Sequence, residues 1–245
     1  MKNTSASPFT SELTESDIAR LQNVSREIVG VKLEPIVALS SSSIIGMELL
    51  SLLDCPAQSE AFFHHQPANQ SVRLLEAQFA ALKNTPWRKN LFINLSINML
   101  SETEPFTRFL PLITPGQNIE IVDPGSFFLL PARLRERVTQ HLWELSDRGC
   151  CLWLDDVDKT LINQFLPCRL PLSGVKIDKM AFWRKRATPA LAQLVSQCEQ
   201  VADNVLIEGI ESHRDREYAL QAGAGFGQGF YWPSIGWAKG RRISA

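Results

Sequence analysis

The sequence predicts an α/β protein, a TIM-like (β/α)8 barrel whose first strand runs antiparallel. Three observations carry this. Short apolar runs alternate with amphipathic helical stretches along most of the chain. The strand-like runs are apolar on both faces, so both faces need cover, as in a parallel sheet. Roughly six to eight such units in a chain of 245 residues favour closure over an open sheet.

The elements follow in order. Residues 1–13 are polar and rich in Ser and Thr. From Thr14 to Ile28, the residues Ile18, Leu21, Val24 and Ile28 recur at helical spacing, with Asp and Glu near the start. "VKLEPIVAL" (31–39) alternates as a strand does, and "IIGMELL" (44–50) is its hairpin partner across a Ser-rich turn. A helix at 71–84 and a strand at 90–96 come next, then a strand at 118–123 and a helix at 131–149 stopped by Gly149. "CLWLDD" (151–156) and "LSGVKID" (172–178) read as strands. A helix around 189–202, a strand at 204–211, a helix at 213–223 and a short strand near "GQGFYWP" complete the pattern. The segmentation is a polar tail and helix over 1–27, the barrel over 28–240, and a basic tail over 241–245. Lys239, Arg241 and Arg242 are expected to be solvated.

With 25 Lys and Arg against 26 Asp and Glu, the formal charge is −1, so no global field favours nucleic acid or an anionic membrane. Five cysteines without CxxC spacing fit neither a disulfide framework nor a zinc site, and point to a reducing, cytoplasmic setting. Cys150 and Cys151 are expected to be structural thiols. The N-terminus has no apolar signal core, and no run approaches a membrane span. His64 and His65 are adjacent and read as a polar loop. "GAGFGQG" (223–229) follows a helix and does not open one, which argues against a dinucleotide loop.

In such a barrel, function sits where the strands end. The polar residues there are Glu48, Asn94, Glu120, Asp155, Asp156, Lys176, Glu208, Glu211 and Gln228. So many carboxylates in one mouth require either neutralising cations or raised pKa values. All-oxygen donors with a single amide suit Mg2+ or Mn2+. Adjacent Asp residues can serve two ions about 3.5–4 Å apart, the arrangement that splits phosphodiesters.

The motifs, in order, resemble the EAL-domain family of cyclic-di-GMP phosphodiesterases and their degenerate relatives over about Val31 to Pro233. "EPIV" stands for Q-P-I-V, "ELLSL" (48–52) for E-A-L-L-R, "INLS" for V-N-L-S, and "EIVD" for E-I-T-E. "DDVDKT" (155–160) stands for D-D-F-G-T-G, "LSGVKID" for the K-I-D motif, "IEGIES" for A-E-G-V-E-T, and "GQGFYWPS" for Q-G-Y-x-x-x-x-P. The resemblance implies metal ligands at Glu48, Asn94, Glu120, Asp155 and Asp156. It also implies a water-orienting Lys176, a ligand or base at Glu208, and supporting or substrate contacts at Glu211 and Gln228.

The chain departs from the pattern at Glu34, Leu52 and Asp123. It departs again at Val157, Asp158, Lys159 and Thr160, where a loop carrying two glycines is expected. "ELL" in place of E-A-L resembles the stand-alone enterobacterial branch of the family, and the departures bear on whether the site still works. They imply a degenerate regulator of motility and biofilm with impaired or absent hydrolysis, acting by protein binding, with a flagellar master transcriptional regulator as the partner by analogy. "AFW" (181–183) and "FYW" (230–232) are the candidate contacts, against helix packing as the plainer reading. The alternative is an active Mg2+- or Mn2+-dependent phosphodiesterase that releases pGpG.

Overall fold

The computed structural model describes residues 13–64, 66–83, 90–238 and 241–244. Most of the expected N-terminal tail, His65 and Lys239 lie outside the described residues.

Helix α1 (Glu15–Gln22) opens on a capping box. The Thr14 hydroxyl accepts from the Asp17 N–H, and the Asp17 carboxylate accepts from the Thr14 N–H. The helix stops short of Ile28, to which the apolar spacing extends it. Ile28 instead opens strand β1 (Ile28–Ala38), paired with Leu53 of β2 (Ile44–Leu53). Pairing to a distant strand overrides a local helical pattern that costs little to break. The two strands form the expected antiparallel hairpin, turning through Ser42 at φ +59.

Helices α2 (Ser59–His64) and α3 (Ala68–Ala81) lead to β3 (Leu91–Ser96). Helices α4 (Ile97–Ser101) and α5 (Thr103–Phe109) lead to β4 (Asn118–Val122), and α6 (Ser126–Leu129) and α7 (Ala132–Asp147) to β5 (Cys151–Val157). Gly149 ends α7 at φ +81, as its position predicts. Then come α8 (Lys159–Phe165), β6 (Gly174–Ile177), α9 (Lys179–Lys185), α10 (Pro189–Cys198), β7 (Asn204–Ile207), α11 (His213–Gln221) and β8 (Phe226–Gly227). Strands β9 (Ile235–Ala238) and β10 (Arg241–Ser244) follow.

Strands β2 to β8 run parallel, each bonded to the next, and β1 closes the barrel antiparallel to both β2 and β8. Gly30 to Leu33 of β1 pair with β9, which pairs in turn with β10. Arg241–Ser244, expected in a solvated tail, is therefore strand, because β9 leaves an edge that its backbone can satisfy.

Apolar packing falls into two bodies. The larger lies between strands and helices. It includes Ile18 and Leu21, so the helix of the N-terminal segment, α1, is packed against α3 and β1. The smaller fills the barrel itself with Ile36, Phe92, Trp153 and Leu206. Two glycines make room for its rings. A Cβ on Gly174 would stand 2.2 Å from the Trp153 ring, and one on Gly46 would stand 2.5 Å from Phe92. Trp153 Nε1 donates to Asn118 Oδ1 at 3.1 Å, which satisfies the one polar atom of that ring.

Among the described residues no helix is long and apolar enough to cross a membrane. All five cysteines are free thiols. Burial pushes Cys150 up to about 11 and Cys198 to about 12, so both are inert structural groups at neutral pH.

Candidate functional site

A strand repeats every two residues, so stepping two positions toward the mouth keeps a side chain on the inner face. On or just past each strand, that step trades packing for polarity. Ile36 gives way to Glu34, Gly46 to Glu48, Phe92 to Asn94 and Asn118 to Glu120. Trp153 gives way to Asp155, Gly174 to Lys176, Leu206 to Glu208 and Phe226 to Gln228. Eight of the nine sequence-predicted mouth residues belong to this ring or adjoin it.

Asp156 joins by a different route. Neighbours in a regular strand face opposite ways, which would send Asp156 outward. Here Leu154 pairs with Val175 and Val157 with Ile177, so Asp155 and Asp156 together oppose Lys176. This is a β-bulge, with Asp156 at φ +50, a left-handed conformation that Asp tolerates better than most residues. It brings carboxylate oxygens of Asp155, Asp156 and Glu208 within 4.8 Å of one another. Val157 returns to the outer core with no exposed surface.

Lys176, also without exposed surface, is the hub. Its Nζ lies 2.9 Å from Asp155 Oδ1, 2.9 Å from Glu208 Oε1, 3.0 Å from Glu120 Oε1 and 3.6 Å from Glu48 Oε2. Burial alone would lower its pKa, but these carboxylates hold it well above the usual lysine range. The carboxylates themselves divide. Burial, then the charge of Glu48, pushes Glu120 well above the usual carboxylate range. Burial likewise raises Glu208 well above it and Asp155 to about 6. Burial would raise Glu48 too, yet Lys176 and the N–H donors of Gln228 (2.6 Å to Oε2) and Asn94 (3.1 Å to Oε1) hold it below its ordinary value.

The remaining predicted positions stand apart. Glu211 is exposed on the rim, its backbone N–H donated to Asp215 Oδ2 at 3.3 Å. Asp123, at φ +49, accepts from the Ser126 hydroxyl. Leu52 is half-buried opposite Gly30 in the hairpin. Val157 to Thr160 form no loop. Val157 ends β5, Asp158 caps α8 by accepting from the Leu161 N–H at 2.9 Å, and Lys159 and Thr160 are exposed on the first turn. An aspartate cap supplies locally what a glycine-bearing turn would otherwise have to arrange.

In the "AFW" cluster, Phe182 is fully buried and Trp183 half-buried, so it packs a helix and is not a free patch. In "FYW", Phe230 is 77% exposed.

Two supports escaped the sequence reading. Trp183 Nε1 donates to the Gly209 carbonyl at 2.8 Å, tying α9 to the segment after β7 that bears Glu208. Buried Asp215 accepts from Arg186, from the Ser212 hydroxyl and from the Glu211 N–H. The Ser-x-x-Asp spacing of Ser212 and Asp215 is a helix-start signature that was there to be read.

A cavity of about 670 Å³ opens at the mouth, bounded by Glu48, Asn94, Asp155 and Asp156 on one side and by Gln66, Leu75 and Gln78 on the other. Among the described residues lining it there is no Lys or Arg. The donors fit hard divalent cations. Five carboxylates face one ammonium, and if all are ionised the four charges left over equal those of two divalent ions. Glu120 Oε2 and Asn94 Oδ1 are buried without a hydrogen-bond partner, a costly state that a cation would relieve.

The EAL domain family model matches residues 19–234. Among solved structures, the chain is similar to the EAL enzyme Bd1971 in its cAMP-bound form, with TM-score 0.63, 20% identity and coverage of 94% of this chain and 66% of that one. It is similar to BlrP1 of Klebsiella pneumoniae, a manganese and cyclic-di-GMP complex, with TM-score 0.63, 21% identity and coverage of 88% and 57%. It is also similar to the FimX EAL domain from Pseudomonas aeruginosa bound to cyclic di-GMP, with TM-score 0.61, 21% identity and coverage of 88% and 94%. The chain thus spans just under two thirds of Bd1971 and less of BlrP1. A comparison with curated proteins returned no match.

Proposed function

The chain belongs to the EAL domain family, and on that premise we propose that its mouth binds Mg2+ or Mn2+ and hydrolyses one phosphodiester of cyclic di-GMP. The observation that carries this is the unbalanced cluster. It gathers five carboxylates about one ammonium, with Glu120 Oε2 and Asn94 Oδ1 buried and unpartnered and Asn94 on the wall of an open cavity. The manganese and cyclic-di-GMP complex of BlrP1 supports the ligand class.

Glu48, Asn94, Glu120, Asp155 and Asp156 would hold the ions, with Glu208 beside the aspartate pair. When bound, the ions supply Lewis acidity toward a phosphoryl oxygen and make water a nucleophile at neutral pH. Lys176 Nζ would orient that water. Glu208, 2.9 Å from Nζ, is placed to take its proton once bound cations favour its ionised form. Water would add to phosphorus as one P–O ester bond breaks, the departing oxygen would take a proton from solvent in the open mouth, and linear pGpG would leave. The free thiols support a cytoplasmic setting for this activity.

A second reading, regulation by protein binding, is favoured by one observation. A dianionic dinucleotide meets no Lys or Arg among the described residues lining the cavity, while Phe230 is open to solvent. In this reading hydrolysis is impaired and a flagellar master transcriptional regulator is the partner. Incubation of purified protein with Mn2+ and cyclic di-GMP separates the two. The first reading expects pGpG, abolished by Asp155→Asn. No product and no nucleotide binding defeats it. Failure of the immobilised chain to retain a purified flagellar regulator counts against the second.

A further inference from the structure

Glu34 faces Glu48 directly across the β1–β2 hairpin, and like charges so placed repel. The structure gives Glu34 two partners. Lys32, two residues earlier on the same face, sets Nζ 2.6 Å from Glu34 Oε1, and the two side chains are only 20% and 19% exposed. Gln228 Nε2 stands 3.2 Å from Glu34 Oε2 and 2.6 Å from Glu48 Oε2. An ionised carboxylate only accepts, so the end of the Gln228 amide facing both must be its NH2. Its Oε1 is thereby turned away, and it is buried without a partner. Glu48, held by Gln228 on one oxygen and by Asn94 on the other, has no freedom to rotate without losing a hydrogen bond.

We infer that Glu34, neutralised by Lys32, is a positioning residue that locks the Gln228 amide in one orientation and, through it, fixes Glu48 toward the cation site. The inference rests on the reading of the mouth as a cation site. A flipped Gln228 would turn Oε1 toward the Glu48 carboxylate whatever stands at 34, and with glutamate there it would face two acceptor-only carboxylates instead of one. Glu34 therefore makes the flipped arrangement costlier before any ion arrives, and the Lys32 ion pair offsets the repulsion between Glu34 and Glu48. The Lys-x-Glu spacing already puts both residues on one face of β1, so the pair is built into the strand period.

The test compares wild type with Lys32→Met/Glu34→Leu, which removes both charges together, with Gln228→Leu, and with the combination of all three changes. Mn2+ affinity is read by calorimetry on metal-free protein, and thermal melts check folding. Loss of such an outer contact weakens metal binding by about tenfold or more, and the combined variant should be no weaker than Gln228→Leu alone, because Glu34 acts through Gln228. Affinity within twofold of wild type in the charge-pair variant, or effects that multiply in the combined variant, overturns the inference. A wild-type protein that binds no Mn2+ instead overturns the cation-site reading. The side-chain NH2 signals of Gln228 in metal-free protein then decide the clamp. Slow exchange that is lost in Lys32→Met/Glu34→Leu supports it, and unchanged signals overturn it.

Discussion

Two layers of one barrel, two residues apart on the same strands, are built on opposite principles. The lower layer, around Ile36, Phe92, Trp153 and Leu206, is dry and close-packed. The upper layer packs carboxylates about a single lysine. The lower layer stabilises the fold, and the upper one, without cations, opposes it. That difference teaches that the site's geometry is not self-supporting. The charged ring holds its shape because the ring beneath it cannot move.

The sharpest way to break the contrast is to remove the hub. Lys176→Met is nearly isosteric but strands four carboxylates in a buried site. Denaturant unfolding of metal-free protein at neutral pH should show a loss of about 3–5 kcal/mol. Added Mn2+ should restore part of it, while pGpG formation should vanish. Unchanged stability would mean that the carboxylates do not rely on Lys176.

Next in size is the pH response. Asp155 sits at about 6 in the fold against 3.8 unfolded. The folded state therefore holds a proton that the unfolded chain has released. This contribution is full below about 3.8 and is lost as pH rises through about 6, by an amount on the order of 3 kcal/mol. Metal-free wild type should lose melting temperature between pH 5 and 7.5 relative to Asp155→Asn. Mn2+, which needs the ionised form, should stabilise wild type more at pH 7.5 than at pH 5. A wild-type difference from Asp155→Asn that does not change with pH would remove Asp155 from the account.

The dry layer yields the third prediction. Gly174→Ala places a methyl 2.2 Å from the Trp153 ring, which cannot retreat far without losing its bond to Asn118. Overpacking of this kind costs about 1–3 kcal/mol. Calorimetric unfolding should show it even when Mn2+ is present, since no ion can relieve a steric clash. Full rescue by Mn2+ would show that the two layers are not separable.

Much of this was legible because strands advertise themselves. β1, β2, β3, β4 and β5 have five or more residues of apolar pattern, and all are found within a few residues of their expected limits. The polar residues of the mouth were legible because they sit at strand ends. The short helices α2, α4, α5, α6, α8 and α9 span four to seven residues, too few for a helical period to repeat. The bulge at Asp156 was hidden for another reason. Adjacent aspartates imply opposite faces, and only the register against β6 shows that they share one. Glu34 reads from the sequence as a departure because one of its partners, Gln228, is 194 residues away, although the other, Lys32, stands two residues from it on β1.

The smallest predicted effect bears on the stretch from Val157 to Thr160, the largest departure from the family pattern. If that stretch is damage to the site, restoring glycine at 158 should raise activity. Asp158, however, has φ −110 and ψ −179, extended backbone that any residue adopts, so glycine relieves no strain there. Its carboxylate instead accepts from the Leu161 N–H and starts α8 one residue after β5 ends. Asp158→Ala should cost about 1 kcal/mol in thermal unfolding, and Asp158→Gly only a few tenths. Neither should change Mn2+ affinity by more than about twofold, because the cap faces the helix and the proposed ligands face the barrel. A gain in pGpG turnover on Asp158→Gly would show that the cap holds the upper layer in a less active form, and that the two layers communicate through α8 as well as through the strands.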